Sequence, residues 1–350
     1  MLKQVVVGIV SLVWCASVGA ETLTVCQDGT CKYSSIQTAI DFSENDDLIL
    51  VKAGTYTISE ALRADGKDIT IQGEVDESGV HLTIVTASLC RHFILRDSDS
   101  TTLIVNQMRF ENGEALGGTY PGSGGAVESY RCNIEFNHCF FFSNSGWANG
   151  YYRGGAIHAT AGGSLVLRSC TFQSNSAATG GALAIYYVDT VIVEDCKFIT
   201  NTANSGEGGA ASVYGYVQFD RCEFDGNSAY QNWADVIECL DDSPGRVTLR
   251  NCAVTNSINA FLGDVEVITD LPLAEDLDGG ACCVGDACIT TTESDCLIIL
   301  AGEWGGATSV CVDQSCSGTV AECDPDINGD GEVNGIDLAY VLNSWGSCDG

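Results

Sequence analysis

Apolar and polar residues alternate along this chain in short runs, and the phase of the alternation changes at regular intervals. In one run, Val191 and Val193 precede a polar pair, after which apolar residues resume at Cys196 and Phe198. Residues two apart share one face of a strand, so each run predicts a strand with one buried face. A continuous strand cannot change phase, because a slip of one residue turns every later side chain over. The polar pair therefore predicts a corner between two strands.

The same unit recurs every 26 to 31 residues, with the pattern Cys-x-Phe-x-x-Asn followed, after a variable loop, by Gly-Gly-Ala. Its copies begin at Cys139, Cys170, Cys196 and Cys222. A fixed period of this length indicates stacked units that bury their apolar faces against one another. One strand precedes the polar pair, one contains Cys-x-Phe and one follows Gly-Gly-Ala. The unit therefore predicts a three-sided parallel β-helix.

Stacking of these units brings equivalent side chains into ladders. The Cys and Phe positions are expected inside, since free cysteine behaves as a small buried hydrophobe. Gly-Gly is expected to free the backbone at one corner, and Asn to adopt a left-handed conformation at another. The repeated asparagines are expected to stack amide on amide: Asn144, Asn175, Asn201 and Asn227. Whether some stacked cysteines form disulfides stays open.

Two family resemblances follow from these motifs. Phe172 to Asn175 and the stretch from Gly180 to Leu183 resemble the polymorphic outer-membrane protein repeat, which implies a surface-exposed or secreted β-helix that is often adhesive. The N-terminal part resembles the opening of pectin-lyase-like β-helices. Together they imply an all-β, right-handed parallel β-helix over residues 21–268. The chain departs from the first family in lacking a C-terminal membrane barrel.

The N-terminal part predicts a cap for the solenoid. Residues 33–40 are expected to form a short amphipathic helix with a capping box between Ser34 and Gln37. Such a helix would cover an apolar end and an open strand edge. Strands are expected at residues 47–51 and 68–73, with a turn at 53–56 between them.

The first 20 residues predict export. Lys3, an apolar core and an exit ending near Ala20 are typical of a secretory signal, too short for a membrane span. The mature protein is therefore expected to be secreted, extracellular or on the cell surface. A formal net charge of −32 argues against nucleic acid and anionic membranes as partners.

A second compact region follows the solenoid. Residues 269–281 are expected to be a linker, and residues 282–316 contain six cysteines: Cys282, Cys283, Cys288, Cys296, Cys311 and Cys316. In an exported segment this density predicts three disulfides, with the pairing left open. A zinc site is the rival interpretation, although no histidine lies nearby.

The C-terminal segment, residues 320–350, predicts a calcium site. A 12-residue loop places oxygen ligands where Ca²⁺ needs them, at Asp326, Asn328, Asp330, Glu332 (through its carbonyl) and Asp337. The loop resembles a type I dockerin half-repeat, which implies docking onto a cohesin-like protein. Only one loop is present, and Gly335 and Ile336 replace the usual hydroxyl pair. The competing interpretation is an anchoring or sorting tag, stabilised by Ca²⁺ and by a Cys323–Cys348 bridge.

No catalytic residue is predicted. The four histidines are isolated and expected at the surface or at corners: His81, His92, His138 and His158. Charged residues at the corners come into register, with Arg168, Glu194, Asp220 and Arg250 at one position and Ser169, Asp195, Arg221 and Asn251 at the next. They predict either a carboxylate–Arg cluster for uronate chemistry or, preferably, a ladder of solvated charges.

The third strand of the unit carries the predicted ligand-binding surface. Tyr130, Thr160, Tyr186 and Tyr214 are expected in one exposed stripe, with Glu128 and His158 beside it. The longest insertions, residues 113–122 and 145–153, open onto the same strands, and the second contributes Trp147, Tyr151 and Tyr152. Such an aromatic rim suits sugar rings or a partner protein; the alternative is a tyrosine ladder that only shields the sheet.

The sequence thus predicts a secreted β-helix protein that binds a polysaccharide or cell-surface glycan at the cell surface or in the extracellular matrix. A Ca²⁺-binding motif is expected to anchor or dock it. The alternative is an extracellular polysaccharide lyase or glycoside hydrolase of the pectin-lyase-like kind, because this scaffold hosts both.

Overall fold

The computed structural model describes residues 20–64, 66–96, 101–115, 123–146, 152–230, 234–240, 246–255 and 260–268, together with the backbone of three strands between residues 279 and 307. The described residues between 20 and 268 form a parallel β-helix in which successive turns stack and contribute strands to three long sheets. This architecture confirms the predicted three strands per turn.

The first sheet holds ten strands: β1 (Thr22–Val25), β2 (Leu48–Val51), β4 (Asp68–Gln72), β7 (Thr102–Asn106), β10 (Asn133–Asn137), β13 (Ser164–Arg168), β17 (Thr190–Glu194), β21 (Val217–Asp220), β25 (Val247–Arg250) and β28 (Val265–Ile268). The second sheet holds eight: β3 (Gly54–Ile58), β5 (Thr83–Ala87), β8 (Arg109–Glu111), β11 (Phe140–Phe142), β14 (Thr171–Gln173), β18 (Lys197–Ile199), β22 (Glu223–Asp225) and β26 (Ala253–Thr255).

The third sheet holds seven strands: β6 (Phe93–Arg96), β9 (Val127–Tyr130), β12 (Ile157–Thr160), β16 (Leu183–Tyr186), β20 (Ala211–Tyr214), β24 (Ile237–Cys239) and β27 (Phe261–Leu262). A short sheet joins β15 (Ser176–Ala177), β19 (Thr202–Ala203) and β23 (Ser228–Ala229). In the cysteine-rich region, β29 (Gly279–Val284) pairs antiparallel with β30 (Ala287–Thr292) and β31 (Glu303–Ala307). The predicted disulfides there lie outside the side chains that the structure describes.

Left-handed residues make the corners. The second residue of each polar pair has a positive φ, between 51° and 55° at Gln107, His138, Ser169, Asp195, Arg221 and Asn251. This turns the chain between the first and second sheets, as the phase change predicted. At the next corner the prediction was wrong in detail, because the left-handed residue precedes the repeated Asn, as at Ser174 (φ 56°) and Thr200 (φ 52°). The Asn side chain is buried instead.

Gly-Gly serves two separate purposes at the third corner. The first glycine, such as Gly180 (φ 62°), adopts the left-handed conformation. The second is needed because the turns come close together: a Cβ on Gly181 would lie 2.1 Å from the carbonyl oxygen of Gly209 on the next turn. Only a residue without a side chain fits there.

The interior is built from ladders. The rings of Phe141, Phe172, Phe198 and Phe224 stack in series, with centroids 4.8 to 5.0 Å apart and planes within 8° of parallel. Each repeated Asn donates from its side-chain amide to the Oδ1 atom of the Asn on the next turn, at 3.0 Å for all three pairs from Asn144 to Asn227. The predicted interior Cys and Phe positions and the amide stack are thus confirmed.

The N-terminal end differs from the prediction at two points. Helix α1 (Ile36–Phe42) starts later than expected, and its N-cap is Ser35, which accepts a hydrogen bond from the Thr38 backbone amide. Gln37 does not complete a capping box, because its side-chain oxygen accepts from the backbone amide of Arg63. The expected turn at 53–56 lies largely in strand β3, since parallel pairing with β5 holds that segment extended.

The cysteines whose side chains the structure describes are either disulfide-bonded or free. Cys26 and Cys31 form a disulfide near the N-terminus. The repeat cysteines remain free and buried, and desolvation raises the pKa of the Cys196 thiol well above its usual value. In the part of the chain described here, no helix is both long enough and apolar enough to cross a membrane.

Candidate functional site

The outer face of the third sheet is unusual because its polar residues are buried. In each strand the first and third residues, such as Leu183 and Ile185, join the core, so the second and fourth face away from it. The second position forms a register line through β9, β12, β16, β20 and β24: Glu128, His158, Ala184, Ser212 and Glu238. All five are at most 5% exposed. We call this line and the side chains touching it the outer-face cluster.

The predicted tyrosine stripe exists in register but is not an exposed stripe. Tyr130, Thr160, Tyr186 and Tyr214 are Cα partners on adjacent strands. Thr160 and Tyr186 are only 7% and 5% exposed, whereas Tyr130 and Tyr214 are half-buried. The Tyr186 hydroxyl hydrogen-bonds Ser212 on the next strand, and the Arg153 guanidinium lies over the Tyr186 ring. Tyr152 is half-buried; Trp147 and Tyr151 lie outside the described residues.

A chain of hydrogen bonds runs across three adjacent strands of the outer-face cluster. Ser212 donates to Glu238 Oε2 at 2.6 Å, and the Tyr186 hydroxyl lies 2.7 Å from Ser212 Oγ. Because Ser212 donates to the carboxylate, Tyr186 is the donor in the second bond. The Arg153 guanidinium lies 4.4 Å from the centre of the Tyr186 ring. Glu207, which precedes the Gly-Gly pair of its turn, interacts with the Glu238 carboxyl group.

Two titratable groups of the cluster have strongly shifted pKa values. Burial raises the pKa of Glu238 to about 7, and the neighbouring carboxyl of Glu207 adds to the increase. Burial lowers the pKa of His158 to about 3, with a further contribution from Arg153 and Arg91. At neutral pH His158 is therefore uncharged, whereas Glu238 is near its midpoint. Among these two, only Glu238 can exchange a proton readily at that pH.

The N-terminal end of the same face holds buried charges. Arg91 and Glu128 both have fully buried side chains, and their charged groups approach to 3.6 Å. Arg91 also donates to the Ser123 carbonyl at 2.8 Å, and Arg96 lies 3.6 Å from the other oxygen of Glu128. A fully buried ion pair needs additional hydrogen bonds to offset the cost of desolvating its charges. The positions of the Arg91 and Glu128 side chains are therefore fixed by several contacts at once.

Two exposed tyrosines outside the predicted stripe lie just beyond β16 and β20, where the third sheet turns into the first. Tyr187 and Tyr216 are 60% and 69% exposed. The ring of Tyr187 lies 4.2 Å, centroid to centroid, from that of half-buried Tyr214. We call these three residues the tyrosine corner. The sequence could have indicated these tyrosines by their position, since each lies at or just beyond the end of a strand predicted after a Gly-Gly-Ala motif.

The corner charges form the predicted ladder of ion pairs between neighbouring turns. Arg168 bridges Glu135 (2.9 Å) and Glu194 (3.2 Å) on the two neighbouring turns. Arg221 contacts Asp195 at 2.8 Å and also pairs with Asp220. Most of these side chains are more than one-third exposed, so each pair contributes little to stability. Arg221 lowers the pKa of Asp195 by hydrogen bonding to it, which keeps that carboxylate charged and paired.

The histidine prediction was wrong for two residues. His92 and His158 are buried, at 0% and 3% exposure, and His92 packs edge-on against Phe110. His138 does lie at a corner. The predicted calcium ligands, Asp326, Asn328, Asp330, Glu332 and Asp337, lie outside the described residues. Within the described part, no group of three His, Cys, Asp or Glu side chains is placed to hold a metal ion.

Comparison with known proteins gives the following similarities. A pectin methylesterase from Aspergillus niger matches with 14% identity and a TM-score of 0.46, covering 73% of this chain and 87% of that one. A PL6 family alginate lyase matches with 11% identity and a TM-score of 0.43, covering 73% and 38%. A pectin methylesterase from carrot matches with 13% identity and a TM-score of 0.37, covering 73% and 85%. No curated protein matches significantly.

A family model also matches the solenoid. The model described as right handed beta helix region matches residues 74–263, which include the four Gly-Gly-Ala copies between residues 124 and 210 and the whole outer-face cluster. These residues are more than half of the chain. The chain therefore belongs to the right-handed β-helix family.

Proposed function

We propose that this chain is a secreted protein that binds a polysaccharide along the tyrosine corner and the adjoining edge of the third sheet. The observation that carries the proposal is the exposure of Tyr187 and Tyr216 beside the partly buried Tyr214. Large aromatic rings left in water at one corner mark a binding surface, because tyrosine offers an apolar face and a polar hydroxyl at low entropic cost. The faces of sugar rings suit that combination.

Charge favours a neutral polysaccharide. A net charge of −32 repels polyanions such as uronate polymers over the distances at which binding partners first meet. The exposed Asp189, next to Val188 and two residues beyond Tyr187, adds local negative charge. The tyrosine corner itself carries no formal charge, so we expect stacking and hydroxyl contacts to dominate.

The test is binding of the full chain to a glycan array and to insoluble neutral and uronate polysaccharides. We expect the double variant Tyr187→Ala with Tyr216→Ala to bind its best ligand at least about tenfold more weakly, which corresponds to about 1.4 kcal/mol. Tyr230→Ala is the matched control, since Tyr230 is 49% exposed but follows β23 at a different corner. Absence of any glycan ligand, or an equal loss in the control, would contradict the proposal.

We further propose that residues 326–337 bind Ca²⁺ and attach the protein to a cohesin-like or other anchoring partner. The support is the spacing of five oxygen-bearing residues in one 12-residue loop. Calorimetric titration of the full chain with Ca²⁺ should show a binding heat that Asp326→Ala with Asp337→Ala removes. An unchanged binding heat in that variant would show that Ca²⁺ binds at another site. Absence of a binding heat for wild type at millimolar Ca²⁺ would contradict the proposal.

A second candidate function is an enzyme that acts on the bound polysaccharide. It is favoured by one observation, the hydrogen-bonded chain that ends at Glu238, whose pKa of about 7 suits proton transfer at neutral pH.

A further inference from the structure

Ser212 and Glu238 have the geometry of an activated nucleophile. The serine hydroxyl donates to the carboxylate at 2.6 Å, and both residues lie on neighbouring strands of one sheet. A serine hydroxyl is a weak nucleophile unless a base within hydrogen-bonding reach accepts its proton as it attacks. Rigid strands hold such a pair more accurately than loops do. The sheet therefore presents the two groups that acyl transfer requires.

The Tyr186 hydroxyl is a third polar group on the same face. It lies 2.7 Å from Ser212 Oγ and donates to it, and the Arg153 guanidinium lies 4.4 Å from the centre of the Tyr186 ring. Tyr186, Ser212 and Glu238 thus join a hydroxyl donor, a nucleophile and a base across three adjacent strands.

We propose that Ser212 and Glu238 are the nucleophile and general base of an ester-hydrolysing site that removes acyl groups from a polysaccharide. That the substrate is a polysaccharide depends on the binding function proposed above, whereas the ester-hydrolysing chemistry does not. Acyl chemistry is the class that this pair suits, because a serine hydroxyl bonded to a carboxylate at 2.6 Å is a nucleophile with its base.

The reaction balances with the groups present. Ser212 Oγ attacks the acyl carbon while its proton passes to Glu238, and the sugar oxygen leaves with that proton as an alcohol. This gives an acyl-serine and the deacylated sugar. Water then attacks the acyl carbon, giving its proton to Glu238, and the Ser212–acyl bond breaks. The serine recovers a proton from Glu238, and the acid is released.

Ser212 is fully buried, so the proposed reaction requires the side chains around it to move aside. Arg153, which is only partly buried, lies over the Tyr186 ring, and the Tyr186 hydroxyl is bonded to Ser212. Surface side chains such as Arg153 change rotamer on fast time scales.

The charged groups that face Glu238 set the expected pH dependence. Glu207 raises the pKa of Glu238, whereas Ser212 and Arg153 lower it, and burial makes the largest contribution. On the other side its register partner is Leu262, which is uncharged. Because the carboxylate form is the base, we expect the rate to rise with pH and reach its half-maximum near pH 7.

The experiment is labelling of the full chain by a fluorophosphonate, with peptide mapping and turnover of p-nitrophenyl acetate and acetylated xylan as second readouts. We expect the probe on Ser212 and its loss in Ser212→Ala. We expect Glu238→Gln to label at least about 100-fold more slowly, as general-base catalysis implies. Ser228→Ala is the matched control, since Ser228 lies in a hydroxyl ladder on another face. Circular dichroism and melting profiles establish whether each variant is folded.

The outcomes separate the two proposals. Labelling of a different residue, labelling unaffected by Glu238→Gln, or no labelling of folded wild type would overturn the inference and leave a structural hydrogen-bond network only. If Ser212→Ala does not fold, peptide mapping of the labelled wild type and the labelling rate of Glu238→Gln still test the proposal. Labelling on Ser212 with no glycan bound would instead contradict the polysaccharide proposal. Loss of glycan binding in the Tyr187 and Tyr216 variant with labelling intact would support both.

Discussion

The asparagine ladder predicts a large loss of stability for the variant Asn201→Ala. The Asn201 side chain accepts from the backbone and side-chain amides of Asn175 and donates to the Phe172 carbonyl and to Asn227 Oδ1, all at 2.9 to 3.0 Å. Truncation leaves the Asn175 backbone amide without its acceptor and removes one of two bonds from the Asn175 side chain. Asn175, Asn201 and Asn227 are at most 2% exposed, so water cannot replace these bonds. Each buried group left unsatisfied costs roughly 1–3 kcal/mol, so the two affected groups of Asn175 give a loss of about 2–6 kcal/mol in the free energy of unfolding.

Urea unfolding of the full chain, followed by far-ultraviolet circular dichroism, measures this loss. The matched control is Asn204→Ala, three residues further along the same turn but exposed, and we expect it to change stability by less than about 0.5 kcal/mol. Asn201→Asp keeps the acceptor but buries a charge beside Asn227 Oδ1, so it should destabilise at neutral pH at least as strongly as Ala. A loss below about 1 kcal/mol for Asn201→Ala would refute the reasoning that the ladder is needed to satisfy buried amides.

Three other outcomes are expected. Glu238 has a pKa of about 7 in the folded protein against an ordinary 4.5, so between these values the folded state binds a proton that the unfolded state has lost. As pH rises from about 5 to 8, wild type should therefore lose about 2–3 kcal/mol of stability relative to Glu238→Gln. Urea-unfolding stabilities of the two proteins that change in parallel with pH would contradict this. Gly181→Ala should prevent correct stacking of neighbouring turns, because its Cβ would lie 2.1 Å from the Gly209 carbonyl oxygen. In the control variant Gly79→Ala the new Cβ meets open space, but φ is 80°, so we expect a loss of only about 1–2 kcal/mol in the free energy of unfolding. Thermal or urea unfolding measures both. Cys196 is 1% exposed with a raised thiol pKa, so it should react with a disulfide reagent only after unfolding; rapid reaction in native buffer would show that the ladder opens.

The repeat could be predicted from the sequence because local rules determine it. Period-two alternation identifies the buried face, and a phase change at Glu194-Asp195 requires a corner, which the positive φ of Asp195 confirms. The interior position of Cys196 and Phe198 follows from the same argument. The helix cap was displaced by one residue because Ser34 and Ser35 are equivalent in local pattern. Only the tertiary contact of Gln37 with Arg63 distinguishes them.

The outer face of the third sheet could not be predicted in the same way. Register placed Tyr186 beside Tyr214 correctly, but alternation only says that a residue leaves the core. Whether it then meets water depends on what packs over it from distant parts of the chain. Tyr186 and His158 are buried for that reason, and the hydrogen bond from Ser212 to Glu238 joins residues 26 positions apart. A signal for the tyrosine corner was present in the sequence, since Tyr187 and Tyr216 follow predicted strand ends.

The equal spacing of the central turns makes the length of this molecule adjustable. From Cys170 to Cys196 and from Cys196 to Cys222 the period is 26 residues, and every ladder passes through in register. Duplicating or deleting a segment of that length joins equivalent positions and keeps each side chain on its own face. A change of one residue within a strand would instead turn the rest of that strand over. Gene duplication can therefore alter the reach of the solenoid in steps of about 4.8 Å, the spacing between paired strands, without redesigning its interior.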